Sequence, residues 1–445
     1  MSLQRTALLF AVLITFNTAL AASGENEDTP ELRQEIEALK QDYESRIEKL
    51  EQRLDKTERQ ARKAERKAAN AAEIAEDTAV AASSSTSAQN AFNPAIGAVL
   101  IASWADIGTG WDAIPGFMPG GELGVGDSGF SLGESELNLN SNVDAQFYAN
   151  LTLALEDMGG SAELAIEEAS IQTIALPHGL TIMGGRFFSG LGYLNAVHRH
   201  ADDFRDAPLP YQAFLGGQYK NDGLQLRWVV PAPLFLELGG ELNWGNAFPA
   251  TSDSGSGPNA WTLFMHAGGD VGTSNSWKAG LSWLSADVMD RSSDLAPMQT
   301  FTGDSDLTVL DFVWKWAPGG NPTLHNAKLQ GEYFWRDERG LFNGMSYDGS
   351  QTGWYVQGVW QFIPQWRVGY RHDQVDANNG PQFAGTLLQD PGRASKRDSV
   401  MLDWSYSEFS RIRLQYIRDR VLTNADNQYF IQYLVSIGAH GAHEF

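Results

Sequence analysis

The chain is 445 residues long, with 55 Asp and Glu against 32 Lys and Arg, a formal charge of −23, and no cysteine. The acidic balance excludes a nucleic-acid binder, which needs a basic surface to neutralise phosphates; the lack of cysteine excludes a lipid-anchored lipoprotein, a disulfide framework and a thiolate metal site. With 45 Gly, 14 Trp, 13 Tyr and 22 Phe at a mean hydropathy of −0.30, the composition is also too polar for a helical membrane protein.

At the N-terminus Arg5 precedes an apolar run, Ala7 to Phe16, and Ala19, Leu20 and Ala21 offer a small-x-small cleavage site. Residues 1–21 therefore read as a secretory signal peptide, too short to span a bilayer as a helix. No other stretch reaches about twenty consecutive apolar residues, so no transmembrane helix is expected. From Glu31 the period is helical. Leu32, Ile36, Leu39, Tyr43, Ile47, Leu50 and Leu54 recur at spacings of three and four, and Thr57, Ala61, Ala64, Ala68, Ala71 and Ala75 continue the seam. Two fours in succession around Tyr43 form a stutter, which locally unwinds a supercoil. Glu, Lys, Arg and Gln fill the flanking positions, as in a coiled coil. A lone helix this charged is marginal in water, so residues 31–80 predict an associating stalk rather than a solvated single helix. Residues 81–92, rich in Ala and Ser, predict a flexible linker.

From residue 93 onward the period switches to two, which predicts an all-β domain over 93–445. Leu137, Leu139 and Val143 alternate with Glu136, Asn138, Asn140 and Asn142; Val400, Leu402, Trp404 and Tyr406 oppose Asp403 and Ser405. Trp and Tyr fall at the ends of the apolar faces, as at membrane interfaces. A soluble sandwich would instead turn its charges outward. Counting back from the C-terminus, long connections at 419–426, 374–397, 337–352, 287–304 and 245–259 alternate with shorter ones. Those lie near Ser407, Pro364, Ala317 to Leu324, Gly268 to Asn275, and Pro231 to Pro233. Counting forward, strands begin near Ile96, Phe130, Gln146, Glu163 and Leu180, with a first long connection at 107–129. The counts meet only if residues 189–222 form one long external loop and the tempting strand Gln212 to Tyr219 lies within it. The prediction is a 16-stranded antiparallel transmembrane β-barrel preceded by an α-helical coiled coil.

The last strand runs Tyr429, Ile431, Tyr433, Val435 and Ile437 on one face and ends on Phe445. A terminal Phe closing such a strand resembles the barrel-assembly signal of Gram-negative outer-membrane β-barrels, although His443 stands where an aromatic is commoner. Over about 93–445 the chain resembles the sixteen-stranded porins, whose third external loop folds into the barrel and narrows the pore. The helical stalk is similar to the coiled-coil extension of sucrose-type porins. The resemblance implies a homotrimer in outer-membrane lipid, assembled by the barrel-assembly machinery, with the stalk in the periplasm and within reach of peptidoglycan. It implies a passive aqueous channel for small hydrophilic solutes or ions.

The loop contains His198, Arg199, His200, Asp202, Asp203, Arg205 and Asp206, which are the candidate constriction residues. Arg367 and Arg371 on one strand, and Arg411 and Arg413 on another, fall on the inward face as candidate lumen-wall residues, with Arg227 and Arg186 near them in the count. Rows of opposite charge across a pore favour small polar solutes. His198 and His200, with His440 and Glu444 near the C-terminus, are ligand types that suit a transient Zn²⁺ or another borderline divalent ion. The GAHGAHEF ending and the HRHADD loop also look similar to outer-membrane proteins associated with zinc uptake. The alternative is polar loop residues with no metal. Phe187, Phe188, Tyr193, Tyr211 and Phe214 read either as a slide for sugar rings or as packing that pins the loop.

No enzyme is expected. There is no G-x-S-x-G, no H-E-x-x-H and no phosphate-binding glycine loop, and pairs such as Glu167-Glu168 are common in acidic chains. The about 350 residues after the stalk are too few for a plugged barrel of some twenty-two strands. The serious rival is a structural anchor: a coiled coil of roughly 65 Å, at 1.5 Å per residue, tethering the barrel to the cell wall. A sugar-specific porin is the other.

Overall fold

The computed structural model describes residues 94–438 except 122, 158–161, 245–246, 252–256 and 294, together with Glu37, Lys40 and Gln41, which are helical. The signal peptide, the rest of the 31–80 stalk, the 81–92 linker, His440, Glu444 and Phe445 lie outside the described residues. The chain divides into two units, Met1–Ala91 and Phe92–Phe445.

The second unit is a closed antiparallel barrel. Its strands are β1 (Ala95–Asp106), β2 (Gly129–Ser131), β3 (Ser135–Asn142), β4 (Phe147–Asp157), β5 (Ala162–Thr173), β6 (Leu180–Phe188), β7 (Lys220–Val229) and β8 (Phe235–Asn243). They continue as β9 (Ala260–Val271), β10 (Asn275–Ser292), β11 (Thr300–Trp316), β12 (Asn326–Phe342), β13 (Met345–Ile363), β14 (Trp366–Asp376), β15 (Ser395–Ser407), β16 (Ser410–Arg420) and β17 (Asp426–Gly438). Both β2 and β3 pair with β1, at Ser103↔Ser131 and Val99↔Glu136, so they are two parts of one stave and the barrel has 16 staves. Closure comes from β1 against β17, in register from Gly97↔Gly438 to Asp106↔Tyr429. A closed sheet leaves no backbone edge to solvate, which is the condition for crossing hydrocarbon with strands.

Period-two alternation sorts the two faces. Leu137, Leu242, Val356, Val400, Ile431, Tyr433 and Ile437 are exposed outside, whereas Glu136, Glu241, Gln357, Asp403 and Gln432 are buried inside. In a soluble protein this outer surface would be a gross apolar patch; against lipid it is the required one.

Connections alternate in length, with corrections. Residues 107–128, 189–219 and 377–394 are long, and those at the end carrying Ala95 and Gly438 are short. The expected loop 337–352 is instead a hairpin: β12 and β13 run on to Asn343 and Gly344, whose φ values of 50° and 78° suit a type I′ turn. The expected loop 287–304 shrinks to 293–299, and 268–275 to 272–274. The segment Gln212 to Tyr219 is not a strand. It follows and overlaps a short helix, α1 (Leu209–Leu215), which ends where Gly216 turns left-handed at φ 62° and donates its N–H to the Tyr211 carbonyl.

The loops fill the lumen at their own end of the barrel. Phe117 from the first loop meets Phe214 edge-on at 5.6 Å, and Phe214 stacks on Phe334 of the wall at 5.9 Å. Tyr211 adds a T-shaped contact to Phe334 at 5.2 Å. The two loops approach through backbone: a Cβ on Gly121 would lie 2.5 Å from the Gly216 carbonyl oxygen. Burial of each such aromatic is worth about 1.5–3 kcal/mol, so the loops have a core of their own.

Candidate functional site

The long loop is held at its base before it crosses the lumen. Ser189 Oγ and the Gly190 N–H donate to the Glu241 carboxylate at 2.6 and 2.8 Å. Asn195 Nδ2 donates to the carbonyls of Ser189 and Tyr219, and its Oδ1 accepts from the Tyr219 N–H, which closes the loop on itself. Glu332 of β12 accepts from the N–H groups of Tyr193 and Leu194 and from the hydroxyls of Tyr211 and Tyr355. A carboxylate buried this deeply is stable because its lone pairs are filled.

Beyond Leu194 the candidate constriction meets the candidate wall directly. Asp203 pairs with Arg367 at 3.1 Å and with Lys328, and Arg367 also reaches Asp403. Asp206 accepts from Arg371 at 2.5 Å, Arg397 at 2.7 Å and Gln415 at 2.5 Å. Arg413 donates to the Asp202 carbonyl and to Asp403 Oδ1; Arg411 donates to the His200 carbonyl. Arg205 donates to the Val125 carbonyl of the first loop and lies 4.6 Å above the Phe430 ring.

Burial pushes the Asp202 carboxyl up to about 7. Burial also raises Asp203 and Asp206, but Lys328 and Arg367 for the first, and Arg371 and Arg397 for the second, outweigh it and hold both well below the usual range. The arginines of the expected basic ladder do not face an acidic row across open water. They are bonded to the loop, because side chains long enough to cross the gap gain charge-assisted hydrogen bonds by doing so. Arg186 is a correction: it shares the outward parity of Ile182 and pairs with Asp222 at 2.7 Å, away from the lumen ladder. Arg227 does line the lumen.

His198 and His200 come together with three carboxylates. His200 Nδ1 lies 2.7 Å from Glu136 Oε1, and His198 Nδ1 lies 3.2 Å from Glu136 Oε2. Glu167 Oε2 is 3.7 Å from His198 Nδ1, and Glu168 Oε2 is 3.1 Å from its Nε2. Adjacent residues on a strand normally face opposite ways. Here β4 pairs Thr152 with Glu168 and Leu153 with Ile166, which leaves Glu167 as a bulge and turns both glutamates inward. Neither glutamate was legible as a partner of the loop histidines, since the bulge that re-aims them has no sequence mark. Glu136 was legible as inward, but not as reaching His200. Arg397 and Glu332 were also missed.

Toward the end that carries Ala95 and Gly438, the lumen opens as a cavity of about 990 Å³. It is floored by His198, His200, Asp202 and Asp203 of the loop, and its wall includes Asn138, Asn140, Asn150 and Gln172. Six carboxylates and five Lys or Arg side chains face it. Of the aromatics named from the sequence, Phe188 and Tyr193 border this cavity, whereas Phe187, Tyr211 and Phe214 are buried as packing.

The chain is 30% identical over 339 residues to a protein of Aquifex aeolicus (strain VF5) described as uncharacterized, covering 71% of this chain and 70% of that one. No family profile matches. Among solved structures, the loop L8 deletion mutant of OmpT, an outer-membrane protein of Vibrio cholerae, superposes with a TM-score of 0.53 at 12% identity, over 77% of this chain and 99% of that one. The outer-membrane channel DcaP of Acinetobacter baumannii gives 0.53 at 13%, over 77% and 97%. An anion-selective porin from Comamonas acidovorans gives 0.50 at 10%, over 77% and 99%. At such identities the likeness establishes the fold, that of the outer-membrane porins.

Proposed function

The chain belongs to the family of the Aquifex aeolicus protein, and from that premise and the porin barrel we propose a passive outer-membrane channel for small hydrophilic solutes or ions. The observation that carries this reading is the polar cavity of about 990 Å³ in the lumen, narrowed at its floor by a loop bonded to the wall. The short connections and both barrel termini face the periplasm in this reading, so the cavity is a periplasmic vestibule and the 189–219 loop is the constriction. Six carboxylates against five cationic side chains argue for weak charge selectivity. The 31–80 segment is a three-stranded periplasmic stalk beneath a homotrimer, inserted by the barrel-assembly machinery and extending toward peptidoglycan.

The test is conductance of the refolded full chain in a planar bilayer. Openings in groups of three equal steps support a trimeric channel. Deleting residues 31–89 leaves conductance intact if the barrel is the functional part. A barrel that never conducts, in any variant that loosens the loop, leaves the cell-wall tether as the better reading.

A further inference from the structure

We infer that the long loop and the barrel wall together form a site for one borderline divalent transition-metal ion of the Zn²⁺ class, with His198, His200, Glu136 and Glu167 as ligands. The inference deepens the channel reading, and rests on it only for what the site controls. One donor atom each from Glu136, His198 and His200 lies within 4.8 Å of the other two. Glu136 holds His200 Nδ1 with one oxygen at 2.7 Å and His198 Nδ1 with the other at 3.2 Å, and an ion bound between them would spread these contacts toward the roughly 3.4 Å separation that tetrahedral bonds of about 2.0–2.2 Å impose. Two imidazole nitrogens with carboxylate oxygens suit zinc, cobalt or nickel rather than calcium or magnesium, which prefer oxygen alone.

Two further observations point to a ligand. Glu167 is fully buried, yet neither of its carboxylate oxygens has a hydrogen-bond partner, and the facing His198 Nδ1 has none either. Lys220 Nζ stands 3.6 Å from one of the Glu167 oxygens and His198 Nδ1 3.7 Å from the other, both beyond hydrogen-bond distance. A β-bulge turns Glu167 into this place, and bulges commonly re-aim side chains beside functional sites. Glu168, 3.1 Å from His198 Nε2, is placed to accept that N–H and leave Nδ1 free to bind, the carboxylate–histidine–metal relay of many zinc sites. Glu168 is then a positioning residue.

The ligands come from two bodies. Both histidines belong to the loop, Glu136 to β3 and Glu167 to β5. An ion bound here ties the middle of the loop to the wall, and His198 borders the vestibule, which gives it an entry path. Metal occupancy thus holds the constriction in place.

The test is titration of the detergent-refolded, metal-stripped full chain with Co²⁺, followed by visible absorption, then displacement by Zn²⁺. One Co²⁺ per chain is expected, displaced by Zn²⁺ and not by Mg²⁺. Affinity should fall at least about tenfold in Glu167→Gln and further in His198→Ala/His200→Ala, and stay unchanged in His266→Ala, a histidine of β9 whose Nδ1 lies 3.1 Å from Glu237. Should the double variant not refold, Glu136→Gln and Glu167→Gln carry the comparison. No stoichiometric binding by the wild type, or equal binding by the loop variants, overturns the inference. So does binding lost only in His440→Ala/His443→Ala. Conductance of the metal-free protein is recorded separately, so a failed metal site and a failed channel remain distinct results.

Discussion

Arg371 of β14 reaches Asp206 of the long loop with Nη2 2.5 Å from Oδ2, and both side chains are buried in the lumen. Arg397 approaches the same carboxylate oxygen at 2.7 Å, so one aspartate neutralises guanidinium groups from two neighbouring strands. Removing it takes from each guanidinium one of two carboxylate partners, since Asp373 still pairs with Arg371 at 2.9 Å and Asp419 with Arg397 at 3.1 Å, so the loss falls below the roughly 3–5 kcal/mol of a fully broken buried pair. Asp206→Ala is expected to lower the thermal midpoint and enlarge or destabilise the single-channel conductance. Unchanged values of both would mean that the loop is held elsewhere.

Acid should spare this clamp. Although burial raises the Asp206 carboxyl, Arg371 and Arg397 hold it well below its ordinary value. A depressed folded-state pKa means stability that is present above the unfolded value and is lost only as pH falls through the folded one. The attachment of the loop through Asp206, read as protection of residues 189–219 from protease, is therefore expected to hold down to about pH 4, where free aspartates titrate. Loop opening between pH 6 and 4 would contradict the assignment.

Glu332 is the second anchor, and it acts on backbone. Its carboxylate accepts from the N–H groups of Tyr193 and Leu194 and from the hydroxyls of Tyr211 and Tyr355. Glu332→Ala leaves those donors buried without partners, at about 1–3 kcal/mol each. Limited proteolysis of the native barrel should then cut within residues 189–219, whereas Tyr355→Phe should stay resistant. Equal resistance of the two variants would remove Glu332 from the account.

Selectivity follows from the vestibule charges. Six carboxylates and five cationic side chains face the cavity, so a salt gradient is expected to give a reversal potential near zero. Arg227→Glu/Lys278→Glu reverses two of those charges and should make the channel clearly cation-selective at low salt, where screening is weakest. A strong native anion preference, or no shift in the double variant, would show that ions do not pass this surface.

Much of the barrel was legible because lipid imposes one rule on every stave. Outward residues must be apolar and inward ones need not be, so alternation over Val400 to Tyr406 or Tyr429 to Ile437 marks both the strand and its orientation. The rule lapses where the strand leaves the bilayer. Arg339 and Asp348 sit on the outward face of the β12–β13 hairpin with side chains 73% and 79% exposed, and their polarity made the stretch look like a loop. The Asn343-Gly344 turn was the surviving signal.

What the amino-acid sequence determined by itself was local: the period of two, the outward apolar face, the stretch 189–222 left over as a loop, and the residue types that loop carries. Tertiary structure decided which groups meet. Asp206 and Arg371 are 165 residues apart, and His200 and Glu136 are 64 apart. Such pairs depend on barrel closure, on the register of each strand with its neighbours, and on the single unpaired residue at Glu167. A one-residue shift flips a side chain to the other face. Alternation therefore reads faces well, while the bulge that joins Glu167 and Glu168 to the loop histidines has no signature until the strands are paired.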